Sequence, residues 1–201
     1  NAEIGFRGQW RFLRWDVGYF ILQNNHRFGL LAQSDAQGNY YTLRTNIGNS
    51  RTHGAELFVQ ADIQPLAGLH LQVFTSTSIM DGRYTSGLLR VGTENTSIEG
   101  NKIESVPNLI TRNGLRVQYE HFTLNVLYSY TAATFADALN TELPNSTGSV
   151  GIVSAYSVWD IALHTQITQN IAIALNINNV ANTSYFTKRP QLYPEIGRAH
   201  V

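Results

Sequence analysis

The sequence predicts an all-β chain: an antiparallel, up-and-down sheet of about eight strands, of the kind that builds a transmembrane β-barrel. Three observations predict it. Apolar and polar residues alternate with a period of two in one segment after another, as extended strands with two unlike faces require. The connections alternate between short turns, near residues 11, 66, 121 and 168, and long polar stretches, near 35, 90, 145 and 188, as they do when a barrel keeps its turns on one side of a membrane and its loops on the other. Trp10, Trp15, Tyr119, Phe122, Tyr128, Tyr130, Tyr156 and Trp159 fall toward strand ends, where interfacial aromatic girdles sit.

Composition sets the bounds. Charged residues make up 14% of the 201, below the quarter or so usual in soluble domains. Fourteen Lys and Arg balance fourteen Asp and Glu, so no basic surface argues for nucleic acid. The absence of cysteine removes disulfide frameworks, thiolate metal sites and cysteine nucleophiles. No run of about 18 apolar residues occurs, which excludes a spanning helix. A spanning β-strand needs only about 10 alternating residues, so a membrane is not excluded. The chain opens at Asn1-Ala2-Glu3-Ile4, already in a strand pattern, and its beginning is expected upstream.

Taken in order, Ala2 to Gln9 predicts a first strand and Trp10 to Leu13 a short turn. From Arg14, the residues Trp15, Val17, Tyr19 and Ile21 share one face and Asp16, Gly18 and Phe20 the other. After Asn24-Asn25-His26-Arg27 comes a polar loop over Ser34 to Gly38. A long third strand runs from about Tyr40 to Ile63, with Ala55, Leu57, Val59 and Ala61 opposed to Glu56, Phe58, Gln60 and Asp62. Its turn, Gln64 to Gly68, holds Pro65. Leu69, Leu71 and Val73 against His70, Gln72 and Phe74 make a fourth strand, which leads into a polar region from about Met80 to Glu104. A fifth follows Pro107, with Leu115, Val117 and Tyr119 opposed to Arg116, Gln118 and Glu120. After a minimal turn at Glu120-His121, Leu124, Val126, Tyr128 and Tyr130 alternate with Thr123, Asn125, Leu127 and Ser129. Ala136 to Ser154 is a long polar loop centred on Asn145 to Ser149. The last predicted hairpin spans Tyr156 to Val180. In it Trp159, Ile161 and Leu163, then Ile171, Ile173, Leu175 and Ile177, share one apolar surface across the turn Thr168-Gln169-Asn170.

What covers the aliphatic face decides the function. Asp16, Glu56, Asp62, Arg116, Glu120 and Asp160 lie on the opposite face, where a barrel points them into a wet lumen and a sandwich exposes them. The alternative reading is a soluble or surface β-sandwich, a carbohydrate-binding module that uses its aromatics as stacking platforms. A sandwich must cover the aliphatic face with a second sheet, whereas a barrel leaves it outside as a band about 25 Å tall.

Motifs for covalent chemistry are lacking. His26, His53, His70, His121 and His164 make no H-x-x-x-H or H-E-x-x-H spacing, so no metal site and no cofactor are expected. Ser129, His164 and Asp160 supply the residue types of a hydrolase triad, but no nucleophile elbow surrounds any serine, and the chain is not expected to be an enzyme. Gly87, Gly92 and Gly100 are too widely spaced for a phosphate cradle and read as turn residues.

Several stretches resemble the carboxy-terminal part of a TonB-dependent outer-membrane receptor. Asn1-Ala2-Glu3-Ile4-Gly5-Phe6-Arg7-Gly8 is similar to the strand that such receptors write roughly as YEIGLKG, and Asp16-Val17-Gly18-Tyr19-Phe20 to the D-x-x-x-F of the next. Thr45-Asn46-Ile47-Gly48, with Arg51-Thr52-His53-Gly54-Ala55-Glu56-Leu57, resembles their N-x-G and GxE strand. Val106-Pro107, the Phe135 to Asn140 run, and Tyr156 with Asp160 match further landmarks. Asn178-Asn179-Val180, Tyr185-Phe186 and Arg189 resemble the element before the final strand. The stretch Gly100 to Pro107 and the loop after Phe135 look most like the ferric-citrate-receptor branch.

The resemblance implies about eight strands of a 22-strand barrel with an amino-terminal plug, the last strand missing. It further implies a Gram-negative outer-membrane location and a ferric siderophore or ferric citrate as ligand. The other implied partners are outer-membrane lipid and the TonB complex, the latter through the absent plug. Residues 1–195 are expected to be barrel. Ile196-Gly197-Arg198-Ala199-His200-Val201 translates a common sequencing-adapter stretch and is expected to be a non-native tail. No ligand-contacting residue is assigned. Arg90, Lys102, Arg112 and Arg116 are the basic residues placed to concentrate an anionic ferric chelate, since a focused positive potential does so.

Overall fold

A computed structural model describes residues 1–34, 40–91 and 94–189, so the loop read over 35–38 and the tail at 196–201 lie outside the described residues. In chain order the strands are β1 (Ala2–Trp10), β2 (Leu13–Ser34), β3 (Tyr40–Leu66), β4 (Leu69–Ser86), β5 (Leu88–Val91), β6 (Glu94–Ser97), β7 (Leu109–Tyr119), β8 (Phe122–Thr131), β9 (Thr134–Phe135), β10 (Ile152–Val153), β11 (Tyr156–Thr168) and β12 (Ile171–Ile177). Eight of them form one antiparallel sheet in the order β1-β2-β3-β4-β7-β8-β11-β12, with β5-β6 and β9-β10 as separate two-stranded pairs. Each long strand therefore lies beside the next long strand of the chain. This is the predicted up-and-down arrangement.

Register shows why the sequence settles into this sheet. Ile4 pairs with Tyr19, Tyr19 with Ala55 and Ala55 with Ile79, so one row crosses four strands with its side chains on one face. At the far edge Val126, Ile161 and Ile177 make an equivalent row, and Leu124, Leu163 and Leu175 the row below it. A slip of one residue anywhere would send the aliphatic set to the opposite face, so the pattern fixes the pairing. Polar exceptions on the aliphatic face satisfy one another: Thr77 Oγ1 lies 3.2 Å from Thr75 Oγ1 and 2.7 Å from Thr111 Oγ1, and Asn113 Nδ2 donates to Thr111 Oγ1 at 3.1 Å. Hydroxyls used in this way tolerate an apolar surrounding.

No second sheet covers the aliphatic face among the described residues. Ile171, Ile173 and Leu175 each remain 54% exposed and Ile177 46%. A sandwich would bury these four, so the single layer rules that reading out. The buried cluster lies elsewhere, at the end of the sheet with the long connections, and consists of Ile47, Tyr84, Leu89, Ile98, Ile103 and Ala138 with Val106 and Leu139 packed on it.

Strand length separates two zones. A tilted strand crosses the hydrocarbon of a bilayer in about 9–11 residues. β7, β8 and β11 have 11, 10 and 13 residues, but β2, β3 and β4 have 22, 27 and 18, so their upper parts stand beyond any apolar band. The upper parts of these strands depart from what the sequence predicts. β4 does not stop near Met80: the alternation of Ile79, Asp81 and Arg83 with Met80, Gly82 and Tyr84 carries it to Ser86, and the region read as a polar loop contains the β5-β6 pair and much of the buried cluster. β2 likewise continues through Asn24 to Arg27, absorbing an extra residue at a bulge where His26 has a φ of 59°. Glu120 is not on the strand face; it sits in the turn with a φ of 49°. Tyr156 shares the face of Asp160, opposite Trp159, and stacks on Tyr185 with ring centroids 4.3 Å apart, so it is not part of an outward girdle.

Two glycines hold the polar face close to its aromatics. The Phe20 ring lies over Gly54, where a Cβ would come within 2.8 Å of Phe20 Cζ and 2.6 Å of the Ile79 carbonyl oxygen. The Phe74 ring lies over Gly114 in the same way, and an added Cβ would overlap it. Gly114→Val is expected to cost about 1–3 kcal/mol through overpacking, because the ring must leave its rotamer or the strands must part. The measurement is the temperature at which the full-length protein loses its folded mobility in unheated gels, and an unchanged temperature would refute the packing role.

Candidate functional site

The face opposite the aliphatics is polar and carries two hollows. Glu3, Arg7, Arg14, Asp16, Glu56 and Phe58 line a hollow of about 1060 Å³ across β1 to β4. A smaller one, about 520 Å³, lies toward the short turns between Asp62, His70, Gln72, Arg116 and Gln118. Asp62 accepts hydrogen bonds of 2.8 Å from Gln60 Nε2 and from Gln72 Nε2, which orders the lower wall without neutralising it. Arg7 and Asp16 approach to only 3.8 Å and are well exposed, so their pairing contributes little to stability. Such a surface suits water and polar or charged ligands.

Above this wall the long connections pack into a cap. Tyr84 on β4 donates its hydroxyl to Glu104 Oε2 at 2.6 Å, and Arg27 on β2 donates from Nη2 to Glu104 Oε1 at 3.2 Å. One carboxylate thus ties the connection before β7 to the upper ends of two strands. Burial, together with the hydrogen bond to the Glu104 carboxylate and its charge, raises the Tyr84 phenol well above its usual range. Burial is the largest single effect on the Arg27 guanidinium and lowers it, but the charges of Glu104 and Tyr84 and the hydrogen bonds to both together outweigh burial, and the net direction is upward. Both shifts favour the hydrogen-bonded cluster.

Further ties join one connection to the next. Asn140 and Lys102 exchange two hydrogen bonds, Lys102 N to Asn140 Oδ1 at 2.7 Å and Asn140 Nδ2 to Lys102 O at 2.8 Å. Asn101 Nδ2 donates to Ala138 O at 2.9 Å and Ser105 N to Phe135 O at 2.9 Å. Arg189 Nη2 reaches Ile152 O at 2.8 Å. The cap is a built structure with its own core, at the end of the single-layer sheet that carries the long connections.

A family model described as "TonB dependent receptor-like, beta-barrel" matches residues 1–180. The chain belongs to this family. As a TonB-dependent receptor barrel segment it is similar in fold to the siderophore receptor PiuA from Acinetobacter baumannii, with a TM-score of 0.67 and 20% identity over 93% of this chain and 25% of that one. The ferric citrate transporter FecA in its unliganded form gives a TM-score of 0.71 and 18% identity over 92% of this chain and 26% of that one. The ferripyoverdine receptor of the outer membrane of Pseudomonas aeruginosa gives 0.60 and 17% over 92% and 23%. The chain spans about a quarter of the length of these structures. No curated protein sequence matches it.

The receptor's wall divides the four basic residues singled out in the sequence. Arg112 and Arg116 pair with Ser76 and Gln72 on β4, on the polar face, and both are exposed there. Lys102 lies on the other side, in a hollow lined by Tyr19, Ala55 and Ile79. The side chain of Arg90 lies outside what is described. Among the described residues no cluster of three His, Cys, Asp or Glu side chains forms. Asp160 and His164 share the polar face four residues apart on β11, about 13 Å along a strand, too far for a catalytic pair. The sequence reading missed Arg27, Tyr84 and Glu104 altogether. Only the continued alternation through Tyr84 was available to suggest that strand and cap meet there.

Proposed function

We propose that this chain is part of an outer-membrane receptor that imports a ferric chelate, a siderophore or ferric citrate, with energy delivered through TonB. The observation that carries the reading is the two-sided single layer: exposed aliphatics on one face, and on the other a charged wall with two hollows, under a packed cap. Membership of the receptor family and the fold shared with siderophore and ferric citrate receptors support it. In this reading the cap and neighbouring loops capture the chelate and a plug gates the lumen. The remaining barrel strands and the plug come from elsewhere in the parent protein. The inner-membrane TonB complex then does work on the plug. The process is binding and translocation without a covalent step, and Arg112 and Arg116 contribute positive potential to the wall.

Fractionation of cells making the full-length parent protein, combined with growth on defined iron sources, tests this. Extraction from the outer membrane only by detergent is expected, with growth on one ferric chelate lost when the gene is deleted. Release as a soluble protein would overturn the membrane reading. A membrane protein whose deletion leaves growth on every iron source unchanged would overturn the cargo.

A further inference from the structure

The polar face is not equally open across the sheet. One register row crosses it at a single height: Phe58 on β3, Ser76 on β4, Arg112 on β7, Ser129 on β8 and Val158 on β11. Along that row Ser76 and Arg112 are exposed, whereas Ser129 and Val158 are partly buried. The hollows of about 1060 and 520 Å³ likewise open on the β1 to β7 side. The strand layer itself does not account for the difference, because all five residues belong to it and share one face. The sequence agrees with the burial: Val158 and Leu127, which pairs with Asp160, are aliphatic at polar-face positions, and that suits a covered wall.

What lies over β11 is the chain that follows β12. The ladder ends where Ile177 pairs with Ile161. Asn179 N then donates to Asp160 Oδ1 at 2.8 Å, and Val180 N to Trp159 O at 2.8 Å. Asn179 and Asn182 have φ of 51° and 49°, the left-handed conformation that asparagine tolerates. Asn179 closes the turn on Thr183, accepting from its N and donating to its O, both at 2.9 Å. From there the chain reaches Tyr185, whose ring stacks on Tyr156 with centroids 4.3 Å apart and planes 13° apart. Asp160 and Tyr156 stand four residues apart on the polar face, about 13 Å along the strand. Val158 lies between these two fastenings. Arg189 ties the far end to the cap through Ile152 O at 2.8 Å.

We propose that residues 178–189 form a fastened strap that shuts the polar face of β11, and that a transported solute passes this wall on its open side, over β1 to β7. Asp160 is the positioning residue of the strap. Its carboxylate takes an N–H that the turn after β12 has carried out of the ladder, and a hydrogen bond assisted by charge is among the stronger kinds. The stack at Tyr156 and the guanidinium of Arg189 hold the rest by different chemistry, so the strap stays closed as a fixed part of the wall. Arg112 and Arg116 are on the open side, where a passing anion meets them. The route rests on the proposed import of a ferric chelate; the strap does not.

The test is thiol labelling of the full-length receptor in outer-membrane vesicles with a maleimide-bearing polyethylene glycol, scored as a gel shift on protein of folded mobility. The chain has no cysteine of its own to compete. Val158→Cys is expected to react about tenfold more slowly than Ser76→Cys, which stands at the same height, because the strap must open first. Adding Asp160→Ala should bring the two rates to within about twofold. Asp160→Asn keeps an oxygen for Asn179 N and should leave Val158→Cys slow. Val158→Cys as reactive as Ser76→Cys, or no faster after Asp160→Ala, overturns the strap. The route is read from uptake of radiolabelled ferric citrate and a ferric catecholate. Polymer attached at Ser76→Cys is expected to stop the uptake that the untagged variant shows, and undiminished uptake overturns the route. An untagged receptor that imports neither chelate sinks the ferric-chelate reading and the route with it, while the labelling contrast still decides the strap.

Discussion

Leu175→Arg is expected to destabilise the membrane-inserted receptor by about 2–4 kcal/mol, the cost of an arginine near the middle of the lipid-facing surface of a barrel. Leu175 pairs with Leu163 on β11 and is 54% exposed on the aliphatic face. Asn176, one position further along β12, pairs with Ala162 and has the opposite parity. Asn176→Arg is expected to cost under about 1 kcal/mol, since a wet lumen solvates the guanidinium. The measurement is denaturant unfolding of the two full-length variants in phospholipid vesicles. Equal costs at the two positions would mean that both faces meet the same solvent, and the receptor wall would have to be abandoned. The same experiment in detergent alone is expected to shrink the difference, because a micelle deforms around a charge more easily than a bilayer does.

The contrast between positions 175 and 176 was legible in the sequence for a physical reason. Where one face of every strand must meet hydrocarbon, a period of two is enforced residue by residue, and Ile171 to Ile177 or Ala55 to Ala61 display it without help from distant parts of the chain. Arg112 and Arg116 could be placed on the polar face from their phase with Leu115 and Val117. Parity would also have moved Tyr156 away from Trp159, had it been weighed above the tendency of aromatics to collect at strand ends. The cap was not legible. Tyr84, Ile98, Ile103 and Ala138 come from separate connections with no common spacing, and the Arg27 to Glu104 pair joins residues 77 apart. Above the membrane zone no single solvent boundary acts on alternate residues, so the pattern that reveals a face is absent. Lys102 was grouped with Arg112 for the same reason: outside a long strand nothing in the sequence says which way a side chain faces.

Glu104→Ala should loosen this cap without unfolding the wall. Its carboxylate is the shared acceptor of Arg27 and Tyr84, and both partners are largely buried. Removing it leaves a cation and a phenol without their acceptor, at a cost of about 2 kcal/mol for hydrogen bonds to a charged group. Expressed locally, that is roughly a 30-fold rise in hydrogen exchange at the cap amides. Ile98 N, bonded to Gly87 O at 3.1 Å, and Ile103 N, bonded to Gly82 O at 2.9 Å, are the reporters. Amides of the β7-β8 ladder should exchange as before. The wild-type cap should also carry a pH signature. The folded state raises the Tyr84 phenol above its ordinary 10.0, so its contribution is fully present below that pH. It is lost as the pH climbs from there toward the raised value, because the unfolded phenol ionises first. Tyr84→Phe keeps the ring but removes the titrating group, so its cap should start weaker at neutral pH and show no such alkaline decline. If Glu104→Ala left Ile98 and Ile103 as protected as in the wild type, the carboxylate would not be what holds the cap to the strands, and the hydrophobic cluster alone would have to do so.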